Sequence, residues 1–179
     1  MSMLFNYKKG LITLAVVAGL IGSNAFAADQ VTINITGKVT AAACTIDNSG
    51  TYNVIMPDVT AATLSTANTY GEATTFNVTL SNCPPGTTSV TAKFSGTPDS
   101  LDATKYANTT GPGYATNVSV RLQNHSGSVT DKGNNSTMTV NVDASRKATF
   151  DLDARPYSTS GGATVGNIRT VAMMDFTYN

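Results

Sequence analysis

Residues 28–39 have the sequence ADQVTINITGKV, in which apolar and polar side chains alternate. The apolar set contains one glycine and consists of Val31, Ile33, Ile35, Gly37 and Val39. Alternation with a period of two, carried by β-branched residues, is typical of a strand with one buried face. Such a strand either completes its own domain or is donated to the sheet of a neighbouring chain. The rest of the sequence must distinguish these two arrangements.

The segment before this stretch has the features of a secretory signal peptide. Lys8 and Lys9 form a short basic region, residues 10–22 are apolar, and Ala25-Phe26-Ala27 is a small-x-small cleavage site. The apolar run is too short for a membrane span. We therefore expect export, cleavage after residue 27, and no direct insertion of the mature chain into a membrane.

The composition argues against several classes of function. No basic run remains after the signal peptide, so the sequence offers no electrostatic basis for binding nucleic acid. Cys44, Cys83 and the single histidine, His125, are too few for a zinc site of the usual ligand count. We predict no metal and no cofactor. In an exported chain the two cysteines most simply form a disulfide, whose loop of about 40 residues corresponds to about 4 kcal/mol of stability.

Short alternating segments recur along the chain and are separated by turns rich in glycine, proline and asparagine. They lie near residues 52–56, 76–80, 90–94, 118–122, 138–142 and 148–152. We expect residues 57–70 to cross between two sheets and residues 98–116 to form a loop. No sustained helical period is present. This pattern predicts an all-β, antiparallel sandwich of the immunoglobulin-like kind.

The C-terminal stretch is a second unusual feature, since the alternation predicts one long strand from Thr164 to the end of the sequence. Arg169 and Asp175 are its only charges after Gly166. One face of this strand carries Ile168, Thr170, Ala172, Met174, Phe176 and Tyr178. Natural proteins normally protect such an apolar edge. The first and last strands could pair within one molecule, or head to tail between molecules to build a filament.

Several of these features together resemble the pilin subunits of the chaperone–usher family, the type 1 fimbrial proteins of Gram-negative bacteria. The alternating extension contains Gly37 and is followed by Ala41-Ala42-Ala43-Cys44. Asn82-Cys83-Pro84 closes a strand, and Gly166 and Tyr178 match the C-terminal pattern of the family. The stretches ADQVTINITGKV, NCPPGTTSVTAKFSG and GGATVGNIRT are most similar to a minor adaptor subunit near the fimbrial tip.

The resemblance implies an immunoglobulin-like domain that lacks its final strand. It implies a signal peptide over residues 1–27, a donor-strand extension over 28–40 and a pilin domain over 41–179. The five alternating residues of the extension would enter the groove of a neighbouring fimbrial subunit. A periplasmic immunoglobulin-like chaperone would fill this subunit's own groove first, and exchange would follow at an outer-membrane usher. The groove edge and the chaperone and usher contacts would be Gly166, Ile168, Thr170, Ala172, Met174, Phe176, Tyr178 and Asn179.

Other interpretations of the sequence remain open. The chain could be the major rod subunit of the same system, or a self-contained, secreted sandwich that binds carbohydrate. A copper–zinc dismutase would need several histidine ligands. His125 lies in a turn without a nucleophile motif, and we expect Asp151 and Asp153 to be solvated on an outer strand face. The sequence therefore predicts no catalytic residues, and a subunit exported through the periplasm to a fimbrium on the bacterial surface.

Overall fold

The computed structural model describes residues 31–179. The predicted signal peptide and the first residues of the extension, 28–30, lie outside this range. Nine strands are present in the described part of the chain. They are β1 (Thr45–Ile46), β2 (Thr69–Tyr70), β3 (Thr74–Ser81), β4 (Ser89–Gly96), β5 (Tyr106–Ala107), β6 (Ser119–Asn124), β7 (Thr137–Asn141), β8 (Ala148–Ser158) and β9 (Ala172–Tyr178).

The strands form two sheets in which every pairing is antiparallel. The first sheet has the order β1-β3-β8-β6-β5, and β2 also pairs with β8. The second sheet has three strands in the order β7-β4-β9. One turn of 3-10 helix at Asp47–Gly50 is the helical element among the described residues. The predicted all-β, immunoglobulin-like sandwich is confirmed.

The core fills the space between the two sheets with alternating side chains from both. Leu80, Val90, Phe94 and Phe150 are completely buried there. Fully burying one such side chain is worth about 1.5–3 kcal/mol. The predicted disulfide between Cys44 and Cys83 is present and joins the start of β1 to the end of β3.

Three predictions of strand position are wrong. Residues 52–56 alternate between half-buried and exposed side chains but are not assigned as a strand, because no neighbouring strand forms a ladder with them among residues 31–179. The last strand begins at Ala172 rather than Thr164, because residues 164–169 bond instead to loop residues such as Thr109 and Thr116. β8 continues past the predicted end at Leu152 and ends at Ser158.

The expected loop over residues 98–116 contains the short strand β5. Tyr106 in this strand is fully buried, and its hydroxyl donates to the Lys132 carbonyl at 2.8 Å. Two paired residues are too few for an alternating pattern, so the sequence carries no periodic signal for β5.

Candidate functional site: an open edge of the second sheet

β9 is an edge strand of the second sheet, and within residues 31–179 it pairs only with β4. Along the shared register, Phe94 lies opposite Met174 and Ala92 opposite Phe176. Both β4 residues are 0% exposed, whereas Met174 and Phe176 are only half-buried. The inward face of β9 is therefore covered on its β4 side and left open on the other.

Residues 51–59 form a second wall beside the core. Tyr52, Val54 and Met56 are half-buried and pack against it. The Tyr52 hydroxyl lies 3.3 Å from the Thr79 amide nitrogen, and the Thr74 hydroxyl donates to the Ile55 carbonyl at 3.0 Å. These contacts hold the segment beside β3, yet no backbone ladder joins it to a strand in the described part of the chain.

The two walls lie beside the same part of the core. The ring centroids of Phe150 and Phe176 are 5.6 Å apart, and Phe150 pairs with Val78 of β3. Tyr52 meets the next residue of β3, Thr79. β9 and residues 51–59 therefore pack against the same part of the core and do not pair with each other, and we call the space beside them the open groove. Two flanking edges of this kind are the geometry that accepts an added strand.

A cavity of about 730 Å³ lies among residues that continue both walls. Its lining includes Met56 and Ile168, together with the buried side chains of Leu64 and Val118. Ile168 packs against both the main core and the small core around Leu64. The cavity can therefore accommodate an apolar side chain.

The wall residues that face the core are apolar or tyrosine, and none of them is charged. Burial raises the pKa of the Tyr178 hydroxyl, so this group stays neutral at physiological pH. The charge on β9 belongs to Asp175, whose side chain is exposed and lies opposite Lys93 in the sheet register. A strand with apolar inward side chains would match this groove, because no buried charge would be left without a partner.

The structure brings part of the predicted groove edge together. Met174, Phe176 and Tyr178 form the inward row of β9, whereas Ala172 is exposed. Ile168 and Thr170 are half-buried in the segment before the strand. A Cβ atom at Gly166 would overlap the backbone nitrogen of Ala115, so this close backbone approach requires glycine. Asn179 extends the pairing with β4, and its amide donates to the Ser89 carbonyl at 3.0 Å.

The predicted donor residues are described from residue 31 onwards. They carry no assigned strand. Val31, Ile33, Ile35 and Val39 are 75–99% exposed. A Cβ added at Gly37 would meet no other heavy atom within 4 Å. Their role as donors stays a prediction.

The second wall and the cavity were not predicted from the sequence. The alternation of Tyr52, Val54 and Met56 was the available signal, and it predicted a strand without indicating which gap the strand borders. Leu64 is only 2% exposed but lies in a polar, Ala- and Thr-rich stretch without periodicity. No local pattern distinguishes it from a loop residue.

The polar side chains around His125 do not form a catalytic triad. The Thr75 hydroxyl donates to Asp153 Oδ1 at 2.7 Å, and His125 Nδ1 lies 2.9 Å from the same oxygen. A triad needs the hydroxyl on the other ring nitrogen of the histidine. Asp153 is only 7% exposed, so its expected solvation is wrong. Burial raises the pKa of this carboxyl, but the hydrogen bonds from Thr75 and His125 outweigh burial and lower the pKa below its ordinary value.

The fold and the open groove define a class of protein, an immunoglobulin-like sandwich with one sheet edge open to a further strand. The chain matches the family model described as "Fimbrial protein" over residues 33–179, and it belongs to that family. Members of this family are structural subunits of surface pili rather than enzymes.

The relatives agree with this assignment. The chain is 35% identical to Protein FimG of Escherichia coli K12 over 173 residues, which cover 96% of this chain and 98% of FimG. The crystal structure of an antigen and type I fimbria protein from Burkholderia pseudomallei matches with a TM-score of 0.54 and 31% identity, over 78% of this chain and 91% of that one. The P pilus rod subunit PapA matches at 17% identity with a TM-score of 0.59, over 77% of this chain and 100% of PapA, and that likeness concerns the fold alone.

The fimbrial subunit assembles with neighbouring subunits of its pilus. No helix among residues 31–179 is long and apolar enough to cross a membrane.

Proposed function

We propose that this subunit polymerises by strand donation, with the open groove as acceptor and residues 28–40 as donor. The observation that carries the proposal is the gap between β9 and residues 51–59, where two apolar walls face a missing strand. An added strand would bond to the free edge of β9 and cover Met174, Phe176 and Tyr178. The immunoglobulin-like fold would then be complete.

The donor segment has the chemistry that this groove requires. Burying one of its aliphatic side chains is worth about 1.5–3 kcal/mol, and four alternate with Gly37. Lys38 is the only charge between Val31 and Cys44, so the inserted segment loses little hydration energy. The combined burial can outweigh the conformational entropy that a flexible tail loses on ordering.

The same groove would be filled earlier by a strand from a periplasmic immunoglobulin-like chaperone, followed by exchange at an outer-membrane usher. By resemblance, Tyr178 would pack against the chaperone and basic chaperone residues would hold Asn179. This route requires removal of a signal peptide over residues 1–27 and passage through the periplasm to the cell surface.

Within the fimbria, we place the subunit as a minor adaptor near the tip. The support is the likeness of residues 28–39 and of two later stretches to adaptor subunits. The alternative is the major rod subunit. Copy number in purified fibres separates the two, since an adaptor is present in a few copies per fibre and a rod subunit is the main component.

Two engineered forms of the mature chain test strand donation directly. One form lacks residues 28–40. The other is the same shortened chain with that segment appended after Asn179 through a short flexible turn, so that it can fold back. We expect a much higher denaturant midpoint for the second form, because the donated strand completes the sandwich. A third form, with Val31, Ile33 and Ile35 changed to serine in the appended segment, is the control and should lose most of the gain. Equal midpoints for all three would show that the domain does not need another strand.

A further inference from the structure

Of the four methionines in residues 31–179, two lie in the open groove and two lie outside it. Met174 lies on the inward face of β9 and Met56 on the facing wall, and both are half-buried against the core. Met173 points to the opposite face of β9 and is 58% exposed. Met138 lies in β7, at the other edge of the same sheet. Each wall of the groove therefore contributes one thioether.

The thioether of methionine is open to oxidation by peroxides. Its sulfur donates an electron pair to one oxygen of hydrogen peroxide and forms an S–O bond, while the O–O bond breaks. The proton on the transferred oxygen moves to the leaving oxygen, which departs as water. The sulfur is oxidised by two electrons and becomes a sulfoxide, while the peroxide is reduced. This reaction converts a flexible apolar side chain into a polar one.

After strand insertion, a sulfoxide in the open groove would be buried mainly among apolar side chains. The wall side chains beside it are apolar, as in Val54 and Phe176, and the inward donor residues are apolar or glycine. A buried polar group without a partner is unfavourable by an amount equivalent to about 5- to 150-fold in an equilibrium constant.

We propose that Met174 and Met56 are oxidation sites in the open groove, and that their conversion to sulfoxides blocks acceptance of a donor strand. An inserted strand shields both sulfurs from peroxide. Oxidation of Met174 and Met56 is therefore confined to subunits whose groove is empty. The proposal rests on the proposed function, because it treats the open groove as the acceptor.

The first test measures how strongly hydrogen peroxide oxidises each methionine of the mature chain, with and without a bound donor strand. A synthetic peptide of residues 28–40 is the donor probe, and its binding is measured separately by fluorescence anisotropy. Peptide mapping by mass spectrometry then follows oxidation at each methionine. We expect the peptide to protect Met174 and Met56 and to leave oxidation of Met173 unchanged. Equal oxidation of Met174 with and without bound peptide would overturn the proposal.

The second test measures uptake of the same peptide after peroxide treatment. We expect the oxidised wild-type chain to bind about 5- to 150-fold more weakly than the untreated chain. The double variant Met56→Leu/Met174→Leu keeps a similar side-chain volume but has no thioether in the groove. Its own affinity for the peptide should therefore be the same after peroxide treatment as before it. Met173→Leu is the matched control and should remain sensitive to peroxide.

Two outcomes of this experiment have different meanings. Unchanged peptide binding by the oxidised wild-type chain would contradict the oxidation proposal and leave strand donation intact. Failure of the untreated chain to bind the peptide, with no gain in midpoint from the appended segment, would contradict strand donation itself and the oxidation proposal with it.

Discussion

At the scale of single residues, the least exposed charge within residues 31–179 lies outside the groove. The Lys105 side chain is 5% exposed, and its ammonium donates to Asp131 at 2.7 Å and to Asp102 at 3.0 Å. Arg121 donates to the other oxygen of Asp131 at 2.6 Å. Burial raises the pKa of the Asp131 carboxyl, but the hydrogen bonds from Lys105 and Arg121 outweigh burial and lower the pKa below its ordinary value.

This network predicts that stability depends on pH through Asp131. A carboxyl with a lowered folded-state pKa stabilises the fold above its ordinary pKa of 3.8, and this contribution disappears as the pH falls through the folded-state value. We expect Asp131→Asn to lower the free energy of unfolding by about 1–3 kcal/mol near neutral pH, because Lys105 loses a charged partner.

Urea unfolding at about pH 7 and about pH 2.5 measures this effect. The difference between wild type and Asp131→Asn should narrow at the lower pH, where protonation removes the charge of Asp131 from the wild-type chain. Asp175→Asn, at an exposed carboxyl, is the control and should change stability by less than about 0.5 kcal/mol. If wild type and Asp131→Asn differed by the same free energy of unfolding at both pH values, the pH dependence would not come from Asp131.

A second prediction at this scale concerns Gly96 at the end of β4. A Cβ atom there would lie 2.7 Å from the Tyr106 ring and 2.8 Å from the Val171 carbonyl oxygen. We expect Gly96→Ala to destabilise the domain by about 1–3 kcal/mol through overpacking, measured by chemical unfolding. Gly37→Ala makes the same substitution where no atom lies within 4 Å, and it should leave the unfolding midpoint unchanged.

At the scale of elements, the second sheet has two edges with different surroundings. β7 and β9 both pair with β4, and the inner face of each is half-buried. β9 is the edge that borders the open groove. The sequence predicted both strands from their alternation. It could not predict the full length of β8, because residues 152–158 are buried at all but one position and the period of two disappears.

Hydrogen exchange can distinguish the two edges. We expect the peptide of residues 28–40 to slow amide exchange in β9 and in residues 51–56, since the added strand would bond to both walls. The exchange rates in β7 should stay the same, which makes that strand an internal control. If amide exchange slowed in β7 and not in β9, the peptide would be bound at the β7 edge of the sheet, which would contradict the proposed acceptor edge.

At the scale of the whole molecule, the proposed assembly depends on the fit between one subunit's extension and another's groove. Gly37 is the one alternating donor position without a side chain. We expect Gly37→Leu to slow donor insertion by about tenfold or more, because a leucine side chain would have to be accommodated where the native donor strand places none. Peptide binding to the mature chain measures the rate, with Gly37→Leu and unchanged peptides compared at equal concentration.

Two controls make this result specific. The mature chain carrying Gly37→Leu should unfold at the wild-type midpoint, because a Cβ at Gly37 meets no other heavy atom within 4 Å. A peptide with Thr36→Leu places the same side chain on the outward face and should insert at nearly the unchanged rate. Equal rates for all three peptides would reject the proposed register.

The sequence alone determined the all-β class, the disulfide partners and most strand positions, because these depend on local periodicity and on a pair of cysteines in an exported chain. Its family resemblance was confirmed by the relatives. Only the tertiary structure decided that residues 51–59 face β9 across a gap, that Asp153 is buried, and that Met56 and Met174 lie on opposite walls. These features arise from the packing of two sheets, which brings together residues far apart in the chain, and no local pattern encodes such contacts.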